Sequence, residues 1–508
     1  MKKLHILTLS VLIVLVTSCF KDQNNYFYNP MEKITVTGLT TSYDRIAMVD
    51  SLVLNPTVTS TDPAAKLTYF WGIYEPNVTG VIPHMDTLSK TTSLRMFVTR
   101  ASKTWGLVFG VKNTNTGYQT LTTINLNIIT QFTRGWYVLK DDGAQTDLDL
   151  FLTPATFAPT TKMENVFALV NGKKLNGTAK MMNFDANYYT TVTGTNVKSR
   201  VFYVTSTNDA SIINPNTMLE IHDFNGSFFT PPANKAPNFF MLGTAAEYFV
   251  NDGHIHSIST GVQNYGLFNN YQMRDANNSP YRISDYYLGY YNMAPIFFDE
   301  TSSSFVSAGA TTTVLTACVD ATGTAMKANN NNKTLLYMGL KTTTAPVTGI
   351  AVLKDKTNPA IRILSTITPT VTAFKMVNDT LLATSKCYNG TLFTVNYTDE
   401  NMIYFVVGGN QVWSRNLTNK VEQLQYTVPA GETITYLRHR KYSNEVPYTF
   451  NFIMVGSKIG STYNVRMFNK TAGNLAATPS VTLTGTGSVA DVFYLAPLVT
   501  YYTFNNSY

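Results

Sequence analysis

From Ile34 onward, apolar and polar positions alternate at period two in short runs, interrupted by Gly, Asn and Pro. The first runs are Ile34-Thr-Val36, Leu52-Val-Leu54-Asn-Pro56-Thr-Val58, Leu67 to Ile73, Ser93 to Val98, Trp105 to Val111 and Tyr118 to Ile129. Such a density of short strands predicts an immunoglobulin-like sandwich over 31–130. Beyond Arg134 a looser unit recurs: an aromatic-rich strand, a Gly or Asn turn, and one or two returning strands. Its instances begin at Gly135-Trp136, Ser199, Glu247, Tyr286, Leu335, Met402 and Phe452. Seven units at about 50 residues each match kelch-like spacing, and radial stacking is how such sheets bury both faces. The expectation is an all-β chain whose residues 131–508 form a seven-bladed β-propeller. The run from Asp491-Val-Phe-Tyr494 to Tyr501-Tyr-Thr-Phe504 is the expected closing strand. A single large sandwich or a β-helix is the competing layout.

Composition supports the class. Charged residues make up 14%, aromatics 13%, and polarity comes largely from Asn, Thr and Ser. Abundant Thr, Tyr, Phe and Val with little charge describes strands and turns rather than solvated helices. The formal charge of +7 falls to +5 without Lys2 and Lys3. The densest basic run, Arg438-His439-Arg440-Lys441, reads as a solvated strand edge, so nucleic acid is not an expected partner.

The N-terminus carries its own signal. Lys2 and Lys3 precede an apolar stretch, Leu4 to Val16, that is too short to span a bilayer and fits the apolar core of a signal peptide. It ends in Val16-Thr17-Ser18-Cys19, an apolar residue and two small ones before a cysteine, the lipobox of bacterial lipoproteins. Small side chains let the peptidase seat the backbone, and the thiol is the nucleophile that receives the diacylglyceryl group. Residues 1–18 are therefore the expected signal, Cys19 the lipidation site, and 19–30 a polar tether. Acyl chains at about 0.8 kcal/mol per buried methylene make such an anchor effectively permanent.

The segment Cys19-Phe-Lys-Asp22-Gln-Asn-Asn25-Tyr26, then Glu32-Lys-Ile34-Thr-Val36, then Tyr69-Phe-Trp71, resembles the PKD-like family of Bacteroidetes lipoproteins. The resemblance implies that Trp71 plugs the sandwich core. It also implies an outer-membrane protein beside nutrient-uptake machinery of the starch-utilisation type. Lys21-Asp22 resembles the surface-export signal of that group with one acid fewer, which favours the cell surface over the periplasmic face. Asp50-Ser-Leu52, Asp86-Thr-Leu88 and Asp379-Thr-Leu381 resemble the same group's O-glycosylation pattern.

No catalytic constellation stands out. Asp252-Gly253-His254-Ile255-His256 puts two imidazoles on one strand face, but a hairpin turn already requires Asp-Gly, so no metal is expected. Asp147 and Asp149 share a strand face, Asp299 and Glu300 point oppositely, and turn chemistry explains both pairs. Gly485-Thr-Gly487 lacks the rest of a dinucleotide fingerprint, and no cofactor is expected. Cys318 and Cys387 read as buried fillers, with a disulfide as the alternative. Flat rings stack on sugar faces, so Trp136, Trp413, Tyr271, Arg274, Tyr286 and Tyr290 are the candidate ligand-binding residues. Tyr281, Tyr287 and Tyr291 belong to the same cluster. For each ring, packing between blades is the competing role. The expected function is non-enzymatic: binding of polysaccharide, or docking to an outer-membrane uptake complex. A propeller hydrolase or lyase, and a structural adhesin with protein partners, are the alternatives.

Overall fold

A computed structural model describes residues 31–76, 80, 82–190, 197–243, 246–259, 266–290 and 293–499. Cys19, the signal, the whole tether, Tyr291 and Tyr501 to Phe504 lie outside the described residues. The chain divides into two compact units that meet in sequence at Ile129 and Thr130. Among the described residues, no helix is long and apolar enough to cross a membrane.

In the first unit a five-stranded sheet runs in the order Ser42–Ile46, Gln119–Ile129, Thr104–Asn113, Leu67–Tyr74, Met85–Ser89. Two ribbons complete the sandwich: Ile34–Thr37 with Thr57–Ser60, and Ser51–Leu54 with Leu94–Phe97. The alternation read from sequence is the burial pattern, as in Ser51–Leu54, where Leu52 and Leu54 are buried and their neighbours exposed. Trp71 fills the centre. It is wholly buried, stacks on Phe109 at 4.5 Å between ring centroids, and donates from Nε1 to Thr92 O at 3.1 Å.

Among the described residues the second unit contains seven consecutive antiparallel sheets of three or more strands, besides the small ribbon Lys470–Thr471 with Asn474–Leu475, and each recurring sequence unit falls on one of the seven. Blade I holds Gly135–Asp141, Gln145–Leu152 and Thr161–Met163, and takes its innermost strand, Ser488–Leu495, from the far end of the chain. The innermost strands of blades II to VII are Ala179–Thr190, Pro237–Gly243, Ile283–Leu288, Lys333–Thr342, Phe393–Val395 and Thr433–Tyr442. That final strand pairing closes the ring and removes the two open edges a linear stack would expose.

Contacts link the innermost strands all the way round. Met182 N donates to Asp491 Oδ2 at 3.1 Å, Asn183 Nδ2 to Phe240 O at 2.9 Å, and Asn238 Nδ2 to Asp285 Oδ1 at 2.6 Å. Tyr286 meets Tyr337 edge to face at 5.5 Å, and Tyr337 Oη accepts from Val395 N at 3.1 Å. His439 N donates to Thr394 Oγ1 at 3.0 Å, and Arg438 Nη1 returns to Asp491 Oδ1 at 3.0 Å. Asp491 thus joins blades I, II and VII.

The aromatic surplus sits between blades. In the propeller the largest wholly buried side chains are Trp136 and a series of tyrosines. Several of these tyrosines fill the gap with the ring and satisfy the hydroxyl on a neighbouring segment. Tyr404 Oη donates to Gly473 O at 2.7 Å, Tyr248 Oη to Ala308 O at 2.9 Å, and Tyr463 Oη to Asp149 Oδ2 at 2.7 Å. One turn needs glycine outright: at Gly487 φ is +119°, and a Cβ would sit 2.5 Å from Asp141 O. This is the reason for Gly485-Thr-Gly487: the turn feeds the closing strand.

Candidate functional site

Where the hairpin of blade I meets that of blade VII, a cleft of about 450 Å³ opens. Its walls come from the ends of Gly135–Asp141 and Gln145–Leu152, the turn after Phe450–Ile459, the Thr486-Gly487 turn, and the loop before the short helix Val166–Asn171. Lysine, carboxylate and amide side chains line it, and no aromatic ring does.

Most of these charges are already balanced. Lys140 Nζ holds Asp149 Oδ1 at 2.8 Å, Lys174 Nζ holds Asp142 Oδ2 at 2.9 Å, and Lys162 Nζ holds Glu164 Oε1 at 2.5 Å. Asp142 is held down at about 2, first by Lys174 and then by the Gln145 and Ala144 amides. Lys162 lowers Glu164 in the same way. Asp147 is different. It is 3% exposed, and Oδ1 accepts from Leu148 N at 2.8 Å, Phe167 N at 3.1 Å and Ala168 N at 3.3 Å. Its Oδ2 has no hydrogen-bond partner among the described residues. Desolvation raises its pKa, against the pull of those amides.

A second carboxyl pair, Asp185 of blade II and Glu247 of blade III, is hydrogen-bonded and enclosed between the blades. Tyr203 Oη donates to Glu247 Oε2, and Asn187 N to Asp185 Oδ1 at 2.8 Å. Desolvation raises both acids, and the neighbouring Asp185 charge raises Glu247 further while the hydrogen bond between them pulls Asp185 back, so the pair retains a proton above the usual carboxylate range.

The ring residues singled out from sequence do not converge. Trp136 is wholly buried: Nε1 donates to Phe157 O at 2.7 Å and the indole packs against Phe450 and Tyr494. It belongs to the closure core and has no face left for a ligand. Trp413, on blade VI, is half-buried beneath Lys386, whose Nζ lies 5.1 Å from the ring centroid. Tyr286 and Tyr290 are half-buried against the core of blades IV and V, and Tyr281 and Tyr287 are buried. Arg274 is turned inward, its Nε 3.2 Å from Asp299 Oδ2, so it holds a loop rather than facing solvent. Tyr271 alone of the six is exposed, at 42%, with its ring beside His254.

Other expectations resolve similarly. Arg438-His439-Arg440 is not a solvated edge: all three are buried on the innermost strand of blade VII, where Asp491 supplies the counter-charge for both arginines and His439 Nε2 lies 2.7 Å from Asn451 Oδ1. Asp252 and Gly253 have φ of +50° and +73°, as the hairpin turn requires. His256 Nδ1 lies 2.8 Å from Asn269 O, burial lowers its pKa to about 4, and no metal-ligand cluster exists among the described residues. Cys318 and Cys387 are free and buried, their thiols pushed up to about 12 by desolvation. Ser51, Thr87 and Thr380, the hydroxyl residues of the three short motifs, are exposed. The Asp147 cleft was half legible: spacing placed Asp147 and Asp149 on one face, but nothing local showed that the helix would tie one Asp147 oxygen and leave the other.

The fold defines an all-β protein with an N-terminal sandwich and a closed seven-bladed propeller. Residues 19–179 match the PKD-like family, through the sandwich and into blade I, which bears out the resemblance read from sequence. No curated protein matches. Among solved structures, a quinoprotein alcohol dehydrogenase-like protein from Bacteroides thetaiotaomicron aligns at 12% identity with TM-score 0.40, covering 90% of this chain and 97% of its own. A DUF4784 family protein from Bacteroides caccae aligns at 6% identity and TM-score 0.31, over 78% and 96% of the two chains. An oligogalacturonate lyase in complex with manganese aligns at 8% and 0.25, over 68% and 72%. None of these likenesses bears on activity.

Proposed function

We propose that this chain is an exported lipoprotein, anchored to the outer membrane through Cys19 and displayed at the cell surface, whose propeller binds a glycan in support of nutrient uptake. The observation that carries the binding reading is the cleft between blades I and VII. It has the volume of a small-molecule site and walls that donate and accept hydrogen bonds. Recognition at the cleft would proceed by hydrogen bonding rather than ring stacking, since no aromatic ring lines it.

Electrophoresis of the mature protein through gels containing polysaccharide tests capture, and migration unaffected by every polysaccharide would refute it. The anchor is tested separately. Cys19→Ala should abolish metabolic labelling with a fatty-acid analogue and release the protein from membranes; label retained by the variant would refute lipidation at Cys19.

A second reading has one observation in its favour. Asp147 with a raised pKa and Glu164 with a lowered one border the same cleft, the opposed tuning that hydrolases use for acid and base. Release of reducing or unsaturated sugar ends by the purified protein would favour that reading over binding alone. The absence of rings from the cleft is also what a protein-binding adhesin would show. A protein that ignores all glycans would be read that way.

A further inference from the structure

Resting on the glycan reading, we infer that Asp147 is the ligand-contacting acceptor of the cleft, with Lys458 as its donor counterpart, and that the ligand is a neutral, hydroxyl-rich saccharide. A carboxylate oxygen that is buried without a partner is costly, and an isolated protein tolerates it where a ligand completes the arrangement. Asp147 lines the cleft, its Oδ1 is held by three backbone amides, and Oδ2 is enclosed with no hydrogen-bond partner among the described residues, so its bonding capacity is the part of the carboxylate left unused.

Lys458 lines the same cleft from blade VII, and its ammonium forms no ion pair among the described residues. The site therefore offers one unmatched acceptor and one unmatched donor, while Lys140, Lys174 and Glu164 are engaged in ion pairs. A hydroxyl both donates and accepts, so neighbouring hydroxyls of one sugar can meet both groups. Asp141, Asp142 and Glu164 on the walls oppose a polyanion, and the lysines oppose a polycation. Neutral sugar is the class that remains.

The test uses the mature protein in native gels containing soluble starch, xylan or galactomannan, with polygalacturonate as the acidic arm. Asp147→Asn keeps the oxygen that accepts from the helix amides but places an NH2 where the occupant's hydroxyl would donate. It should weaken retention by a neutral polysaccharide about ten- to hundred-fold. Lys458→Met, which disturbs no ion pair, should weaken it less; it remains informative if Asp147→Asn fails to fold. Retention of the wild type with both variants unaffected would overturn this assignment while leaving glycan binding intact. Retention by polygalacturonate alone would overturn it too. A wild type retained by nothing would overturn both readings.

Discussion

Asp491 is the strongest single test of how the propeller holds itself closed. It lies on the strand the C-terminal region contributes to blade I, is wholly buried, and accepts from Arg438 Nη1 at 3.0 and 3.1 Å. Met182 N of blade II donates to the same carboxylate at 3.1 Å, and Arg440 Nη2 lies 3.6 Å away. Asp491→Asn preserves the shape and one acceptor oxygen but removes the charge that offsets two buried guanidiniums. Breaking a buried pair from one side costs about 3–5 kcal/mol, because the remaining charge stays desolvated. For a unit of roughly 380 residues, unfolding entropy near 2.1 cal/mol/K per residue amounts to roughly 0.8 kcal/mol/K. About 4 kcal/mol then lowers Tm by about 5 °C. Calorimetry of the full mature chain should show this drop in the propeller transition alone. Arg438→Met added to Asp491→Asn should recover part of it, since one of the stranded cations is gone. Asp142→Asn, an exposed pair with Lys174, is the control and should move Tm little. If Asp491→Asn behaves like that control, the axial ion pair does not fasten the ring and this account of closure is wrong.

The remaining expectations concern pH, a turn and a core. Asp185 and Glu247 hold protons in the native state at pH values where the unfolded chain has released them, so stability is fullest at low pH and falls as pH rises through their raised values. Urea midpoints should decline from pH 5 to 8 in the wild type and decline less in Glu247→Gln; equal slopes would contradict a shared proton. Gly487→Ala meets Asp141 O at 2.5 Å and should cost about 2 kcal/mol or more, whereas Gly143→Ala, at positive φ but in open space, should cost about 1 kcal/mol. Chemical denaturation distinguishes the two. Trp71→Ala should destabilise the sandwich by about 3–5 kcal/mol, seen as an earlier sandwich transition with the propeller transition unmoved.

Strand alternation and unit spacing were legible because both are local. Leu52 and Leu54 face inward for the same reason that Ser51 and Val53 do not, and a repeat of about 50 residues is visible without any contact map. What failed were inferences about which side of a blade is wet. In a sandwich one face of each strand meets solvent, so Arg438-His439-Arg440 read as an edge. In a propeller both faces of an inner strand meet other blades, and the alternation that marks solvent disappears: Gly135–Asp141 is buried from Gly135 to Lys140. The same geometry takes Trp136, Tyr281 and Tyr287 into the packing between blades, the competing role for each ring. Trp136 was selected for size and flatness, the two properties that also fill a wedge between radiating sheets.

That wedge accounts for the chain's sparing use of charge. Several of its few charged residues are inside: Lys140 with Asp149, Arg274 with Asp299, Arg415 with Glu422 and Asp379, and Arg438 with Asp491. All four sets bridge strands or loops within one blade or between adjacent blades, with every partner at least half-buried. Buried pairs contribute little net stability but penalise every arrangement that separates them. Seven sheets of similar shape and hydrophobicity have many near-equivalent ways to stack, and apolar contacts alone discriminate poorly among them. A carboxylate such as Asp491, which reaches counter-charges only when the C-terminal strand lies between blades VII and II, selects one closure. The exterior needs few charges because Thr, Asn and Ser already solvate it. On this argument, replacing the axial set with apolar residues of equal volume would leave Tm little changed yet reduce the yield of correctly closed monomer on refolding, measured by size-exclusion chromatography. An unchanged yield would show that aromatic packing between blades suffices to fix the ring.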